Sequence, residues 1–192
     1  MAILPIILFF AILAVDQITK IIVAAADVQF VIIDGLLSFE YTQNSGAAFG
    51  LFGSQSWGIA LFSLISIAAI VVCFVALTKT NSKLLSSGLM VLAGGTAGNL
   101  IDRLCTLMYQ MFGDKFYGLD GFAGGVRDFL NIQFFANINI ADIAITAGVI
   151  IICLYLLFLG KDPVFNFKKK KAEEPAVEAP VEASANDKAS EQ

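Results

Sequence analysis

The sequence predicts a membrane all-α fold: four transmembrane helices, a small extracytoplasmic β-hairpin or sheet, and a disordered C-terminal tail. Three observations carry this. Hydrophobic residues make up 58% of the chain and charged residues 15%, against about 45–50% and about 25% in an ordinary soluble domain. The apolar excess is gathered into runs close to the roughly 20 residues that a helix needs to cross a bilayer. Six acids (Glu173, Glu174, Glu178, Glu182, Asp187, Glu191) crowd into 172–192 beside one base, so the net charge of −4 belongs to the tail, and the rest is slightly positive.

The first span is expected from Ile3 to Ala26. Ala24-Ala25-Ala26 has the small residues of a cleavage site, but no basic residue opens the segment, the run is too long, and Asp16 and Lys20 interrupt it. It reads as a retained helix. The outer loop that follows carries two β-rich runs around Asp34-Gly35, a hairpin signal. The second span is expected over 57–77, the third over 84–101 and the fourth over 140–159. Inside lipid, backbone groups must be satisfied within the segment, which forces helices. The stretch from Cys105 to Val126, rich in glycine and aromatics, is expected to lie along the membrane interface. Residues 1–165 thus form one membrane domain. Residues 166–192, first basic and then rich in Pro, Ala and Glu, form a cytoplasmic tail that cannot bury a core.

Charge sets the orientation. Lys79 and Lys83 flank the short second loop, and Lys161 and Lys168 to Lys171 follow the fourth span, whereas 27–56 has acids and no base. Excess Lys and Arg stays in the cytoplasm. Both termini are therefore expected inside and both long loops outside, with Lys20, Arg103, Lys115 and Arg127 on the outer side.

The chain has no histidine, which excludes Ser-His-Asp and Cys-His catalysis and histidine metal ligation. Cys73, Cys105 and Cys153 form no CxxC pair, so neither a zinc site nor a disulfide framework is suggested. Carboxylates remain as carriers of chemistry, and no metal or cofactor is expected.

Ionisable groups near span ends are costly and each needs a reason. Asp16 and Lys20, four apart, can pair on one helix face, with Lys20 otherwise free to snorkel. Asn99 and Arg103 share a face at the outer end of the third span, beside Asp102, and Gly94-x-x-x-Gly98 allows a close helix neighbour. Asn139 fits an N-cap and Asp142 a first-turn carboxylate, which explains both without function. Asp128 sits in GGVRDFLN within an apolar, glycine-rich stretch. Its bland explanation is a solvent pair with Arg127, worth little.

Taken in order, Asp16-Gln17-x-x-Lys20, Asn44-Ser45-Gly46-Ala47-Ala48-Phe49-Gly50, Gly98-Asn99-Leu100-Ile101-Asp102-Arg103, Val126-Arg127-Asp128-Phe129 and Asn139-Ile140-Ala141-Asp142 resemble the boxes of bacterial lipoprotein signal peptidase, signal peptidase II. The resemblance covers roughly residues 1–160. It implies an aspartic endopeptidase of the bacterial cytoplasmic membrane, which removes signal peptides from prolipoproteins by cutting before a diacylglyceryl-modified cysteine. It implies catalysis by Asp128 and Asp142, substrate binding or site lining by Asn44, Gly46, Asn99, Arg103 and Asn139, and support from Asp16 and Lys20. Its partners would be prolipoproteins and membrane lipid, with no nucleic acid, and the chain would act as a monomer. Two features depart from the family pattern. Twenty-four residues separate Arg103 from Asp128, where the family is usually shorter, and Ile138 replaces the usual Phe before the last Asn, with Phe134 and Phe135 nearby.

Two close carboxylates can share one proton and act as base and acid together. The helix dipole at the fourth span favours Asp142 as base and Asp128 as protonated partner. The competing readings are a proton-coupled transporter and a membrane scaffold without chemistry. A transporter places its polar groups near the midplane, whereas here they gather on the outer side.

Overall fold

A computed structural model describes residues 3–26, 29–44, 56–113 and 124–159. Gly46 and its box, Lys115, and the tail 166–192 lie outside the described residues. Four helices are long and apolar enough to cross a membrane. They are α1 (Ile3–Ala26), α2 (Ser56–Lys79), α3 (Lys83–Phe112) and α4 (Ile140–Leu154), the last continuing through a π-helical turn at Tyr155–Leu159.

The third helix is the axis on which the other three pack. Its membrane-length window is 67% buried, against 17–22% for the others, which explains why it is the least apolar span. A helix ringed by protein can carry Gly, Ser, Thr and Asn that lipid would penalise. It does not stop at Ile101, the expected end. It continues to Phe112 and closes at Gly113, whose N–H bonds Tyr109 O. Cys105 to Phe112 is therefore helix rather than an interfacial loop, because Thr106 stays buried and returns its hydroxyl to Asp102 O at 2.9 Å.

Small residues set the helix spacing. A side chain at Gly95 would meet Ala141 O of α4 at 2.5 Å, and one at Gly94 would meet Phe9 O of α1 at 2.8 Å. On α4, Gly148 lies as closely against Leu92 and Gly88. Close backbone approach is what small residues provide where no hydrophobic force drives helices together in lipid. At one end of the bundle, Cys73, Leu85, Leu89, Met90, Ala93 and Tyr155 form an apolar core, with Phe9 and Ile152 packed against it. Large apolar side chains on the outer faces of α1, α2 and α4 stay exposed, as lipid-facing residues do.

At the other end sits an antiparallel sheet in the order β1 (Phe30–Ile33), β2 (Leu37–Asn44), β3 (Val126–Ile132) and β4 (Ala136–Ile138). Asp34-Gly35 makes the expected hairpin turn, with Gly35 at φ 68°. The sheet also joins the two outer segments, since β2 pairs with β3 in the register Thr42↔Asp128, Gln43↔Arg127, Asn44↔Val126. Phe134 and Phe135 occupy the β3–β4 turn and are 97% and 80% exposed.

Candidate active site

The end of β3, the start of α4 and the outer turns of α1 and α3 bring their polar side chains to one place. Asp128 and Arg127 are adjacent on β3, so their side chains leave opposite faces of the strand. The register sets Asp128 opposite Thr42, and Asn44, two residues further along β2, shares its face. Asn44 Nδ2 donates to Asp128 Oδ2 at 3.0 Å. The other oxygen of Asp128 accepts Asn139 Nδ2 at 2.6 Å.

Asp142 stands in the first turn of α4, and Asn139 caps that helix. The two form a capping box: Asp142 N donates to Asn139 Oδ1 at 3.0 Å and Asn139 N to Asp142 Oδ2 at 3.1 Å. The cap leaves Asn139 Nδ2 free to reach Asp128. The bland explanation of Asn139 and Asp142 is thus correct as local structure, and the same geometry joins them to a second carboxylate. Asp142 Oδ1 accepts Asn99 Nδ2 of α3 at 2.8 Å.

Asp128 is 1% exposed, whereas Asp142 is partly open. Burial pushes the Asp128 carboxyl up to about 7, against the hydrogen bond from Asn44, and the nearby Asp142 pushes the same way. Removing a carboxylate from water disfavours its charged form, and a like charge adds to that.

Behind the pair lies an ionic cluster. Lys20 Nζ sits 2.9 Å from Asp16 Oδ2 and 3.2 Å from Asp102 Oδ2, with all three side chains at 0% exposure. Lys20 therefore does not snorkel. Arg127 pairs with Asp102 at 2.7 Å, its backbone N–H bonds the same carboxylate at 3.0 Å, and its guanidinium also reaches Gln17 at 3.1 Å. The solvent pair with Asp128 is overturned: strand alternation turns Arg127 toward α3. No strand is expected here from the sequence, and VRDFLNI does not alternate apolar with polar, so the separation of Arg127 from Asp128 comes from β3 itself. Asp102, beside Asn99 and Arg103 in sequence, proves to be a shared acceptor for two buried cations. Asp16 reaches across as well, since Oδ1 accepts Ala141 N at the start of α4 at 2.9 Å. Gln17 holds α1 to α3 through Gly98 O at 3.1 Å. Every buried side-chain polar atom among the described residues has a hydrogen-bond partner.

Arg103 lies apart from this cluster, toward α2. Its guanidinium donates to Ser66 Oγ at 3.3 Å and stands 5.8 Å over the Phe62 ring. Neither Ser66 nor Phe62 carries a signal in an apolar span that would single it out. Among the described residues, no three His, Cys, Asp or Glu side chains converge as metal ligands.

Comparison with known proteins places this arrangement. The sequence model of the family described as signal peptidase (SPase) II matches residues 8–158. The lipoprotein signal peptidase of Lactobacillus johnsonii is 42% identical over 134 residues, spanning 68% of this chain and 74% of the relative. That of Symbiobacterium thermophilum is 32% identical over 165 residues, spanning 82% and 97%. Among solved structures, a bacterial membrane enzyme determined by the in meso method at 2.3 Å superposes with a TM-score of 0.62. It shares 27% identity, with 80% of this chain and 87% of the other covered. With four membrane-length helices and a family match across most of its length, this multi-pass membrane protein belongs to the signal peptidase II family, the lipoprotein signal peptidases.

Proposed function

We propose that Asp128 and Asp142 are the catalytic pair of this peptidase and that they cut prolipoproteins before the diacylglyceryl-modified cysteine. The observation that carries this reading is the amide frame: Asn139 donates to Asp128 and caps the helix of Asp142, while Asn99 donates to Asp142. Both carboxyls bond the same Asn139, and burial raises Asp128 to about 7, so one proton is available to the pair near neutral pH.

In the proposed reaction Asp142, the more open group, takes a proton from water as the water oxygen attacks the scissile carbonyl carbon. Asp128 gives its proton to the carbonyl oxygen. The tetrahedral intermediate then collapses: the C–N bond breaks, the leaving nitrogen takes the proton held by Asp142, and Asp128 recovers its proton from the gem-diol hydroxyl. Asn44, exposed at the end of β2, and Arg103 bind the substrate backbone, and Gly46 joins them on the grounds of the resemblance. Asn99 and Asn139 orient the carboxyls.

On this reading the site lies on the extracytoplasmic face, both termini lie in the cytoplasm, and the chain acts as a monomer. A diacylated substrate gains about 0.8 kcal/mol per buried CH₂ and stays in the bilayer. Its cleavage site therefore comes to the membrane surface, where the polar end of the bundle would meet it. The transporter reading fares worse. Among the described residues the buried charged side chains are Asp16, Lys20, Asp102, Arg127 and Asp128, and they gather at the end of the bundle beside the sheet.

The test is processing of a lipid-modified precursor by wild type, Asp128→Asn and Asp142→Asn, with insertion and expression matched. Each substitution should cost about 100- to 10,000-fold in kcat, the usual worth of a general acid or base. Full activity in either variant refutes the pair.

A further inference from the structure

Lys20 is buried more completely, and partnered more fully, than a helix anchor requires. Its ammonium has three donors. Two go to Asp16 and Asp102, and the third goes to Asn99 Oδ1 at 2.9 Å. Asp16, Asp102, Lys20 and Arg127 already balance in charge, so this third bond is not needed for neutrality. It ends on an amide whose nitrogen faces Asp142 at 2.8 Å. The same Asn99 oxygen accepts Asn139 Nδ2 at 3.0 Å, and that nitrogen also donates to Asp128 Oδ1.

An asparagine amide has two orientations related by a flip, and its oxygen and nitrogen trade places between them. Only one gives Asp142 a donor. In the other, the Asn99 oxygen faces the Asp142 carboxylate, and its NH₂ faces the ammonium of Lys20 and the NH₂ of Asn139. We propose that Lys20 is a positioning residue of the peptidase reaction: it locks the Asn99 amide so that Nδ2 faces Asp142 and Asn139 stays bonded to Asp128. The inference rests on the reading of Asp128 and Asp142 as the reacting pair. Lys20 touches neither carboxylate within hydrogen-bond distance and acts through Asn99.

Among the described residues, the charged groups around the pair come from three elements. Helix α1 contributes Lys20 and Asp16, α3 contributes Asp102 and Arg103, and β3 contributes Arg127, while β2 brings the neutral Asn44. Lys20 holds the Asp128 carboxyl down against the effect of burial. Its removal therefore raises Asp128 further, and the alkaline limb of the pH–rate profile moves to higher pH.

The experiment compares wild type, K20M, D16N/K20M, N99A and K20M/N99A as full-length protein in lipid, with a lipid-modified precursor peptide as substrate. K20M leaves two buried carboxylates short of a cation and can fail to fold. D16N/K20M removes an acid together with the base and keeps the cluster balanced. Both variants should lose roughly 10- to 100-fold in kcat, the scale of a misplaced reacting group, with KM changed by less than about twofold, as for a group outside ground-state binding. The alkaline limb of K20M should shift upward, and that of D16N/K20M by less, because losing Asp16 offsets the lost charge of Lys20. In the N99A background, K20M should cost less than about twofold more, because residues acting as a unit are not additive. A second readout needs no turnover: the infrared band of the protonated carboxyl that D128N lacks, titrated with pH in each variant. Wild-type kcat in D16N/K20M, unchanged limb and band positions in a folded K20M, or fully additive losses for K20M and N99A, overturn the role of Lys20. If D128N or D142N still cleaves, the pair itself is wrong, and that failure is distinct because it appears with Lys20 intact.

Discussion

At the scale of single residues, Asp128 combines deep burial with an ionisable group. Its carboxyl rises from an ordinary value near 4 to about 7. The sign of the consequence follows from linkage. Between those two values the folded protein binds more protons than the unfolded chain, so stability falls as pH rises across the window and levels off above it. Asp128→Asn removes that titration. The wild type should lose stability from about pH 4 to about pH 7, by up to ~4 kcal/mol from a shift of about three units, and the variant should lose distinctly less. Thermal unfolding in detergent across this range measures it, and superimposable pH slopes for the two proteins would sink the idea. The acid role proposed for Asp128 thus coincides with a local cost in stability, as functional sites often show. The same residue illustrates what the sequence conceals. GGVRDFLN marks Asp128 as unusual, but the frame made by Asn44, Asn99 and Asn139 depends on three elements meeting, and no spacing rule reports an amide that caps one helix and also reaches a strand.

At the scale of elements, α3 carries the design. It places Asn99 and Asp102 on the faces turned to α4 and α1, and its glycines let those helices come near enough for short side chains to bridge. Gly95 is the most demanding contact because what a side chain would meet is backbone, Ala141 O at 2.5 Å, one residue before Asp142. Gly95→Val should push α4 outward, cost about 1–3 kcal/mol as overpacking does, and lower kcat by stretching the Asn99–Asp142 bond. Unfolding midpoints and cleavage rates measured together decide it; an unaltered midpoint with full activity contradicts the close-packing account. Three of the helices were legible within a residue or two because their apolar runs match the thickness of lipid. The third was read short because hydropathy falls at Asp102 and Arg103, yet both are held by protein rather than exposed to lipid, so the helix runs on to Phe112. The hairpin at Asp34-Gly35 was legible from its turn chemistry. The pairing of β2 with β3 was not, since it joins segments more than eighty residues apart and leaves no local mark. The families of small residues in α3 and the Asp16–Lys20 spacing, by contrast, signalled contacts that the fold makes.

At the scale of the whole molecule, polar and apolar ends are separated along the bundle axis. The cluster of Asp16, Lys20, Asp102 and Arg127, the candidate carboxylates and the sheet lie at one end, and the apolar core with Lys79 and Lys83 at the other. A membrane enzyme whose substrate is tethered by lipid needs this polarity. Chemistry must occur at the surface where the substrate's peptide emerges, while the rest of the bundle need only be compatible with lipid. The lysine-rich ends support the proposed orientation: positive charge is retained in the cytoplasm, so Thr80–Ser82 should face inward and the Asp34 turn outward. Cysteine accessibility separates the alternatives. In a C73A/C105S/C153A background that keeps processing activity, D34C should react with a membrane-impermeant thiol reagent in cells whose cytoplasmic membrane is intact. N81C should react only after permeabilisation. Both positions are exposed on the protein surface, so reagent access is limited by the membrane and not by packing. The reverse pattern would place the carboxylates in the cytoplasm, on the side opposite to the one a secreted lipoprotein precursor presents, and would break the link between the site and its substrate even if both aspartates proved essential.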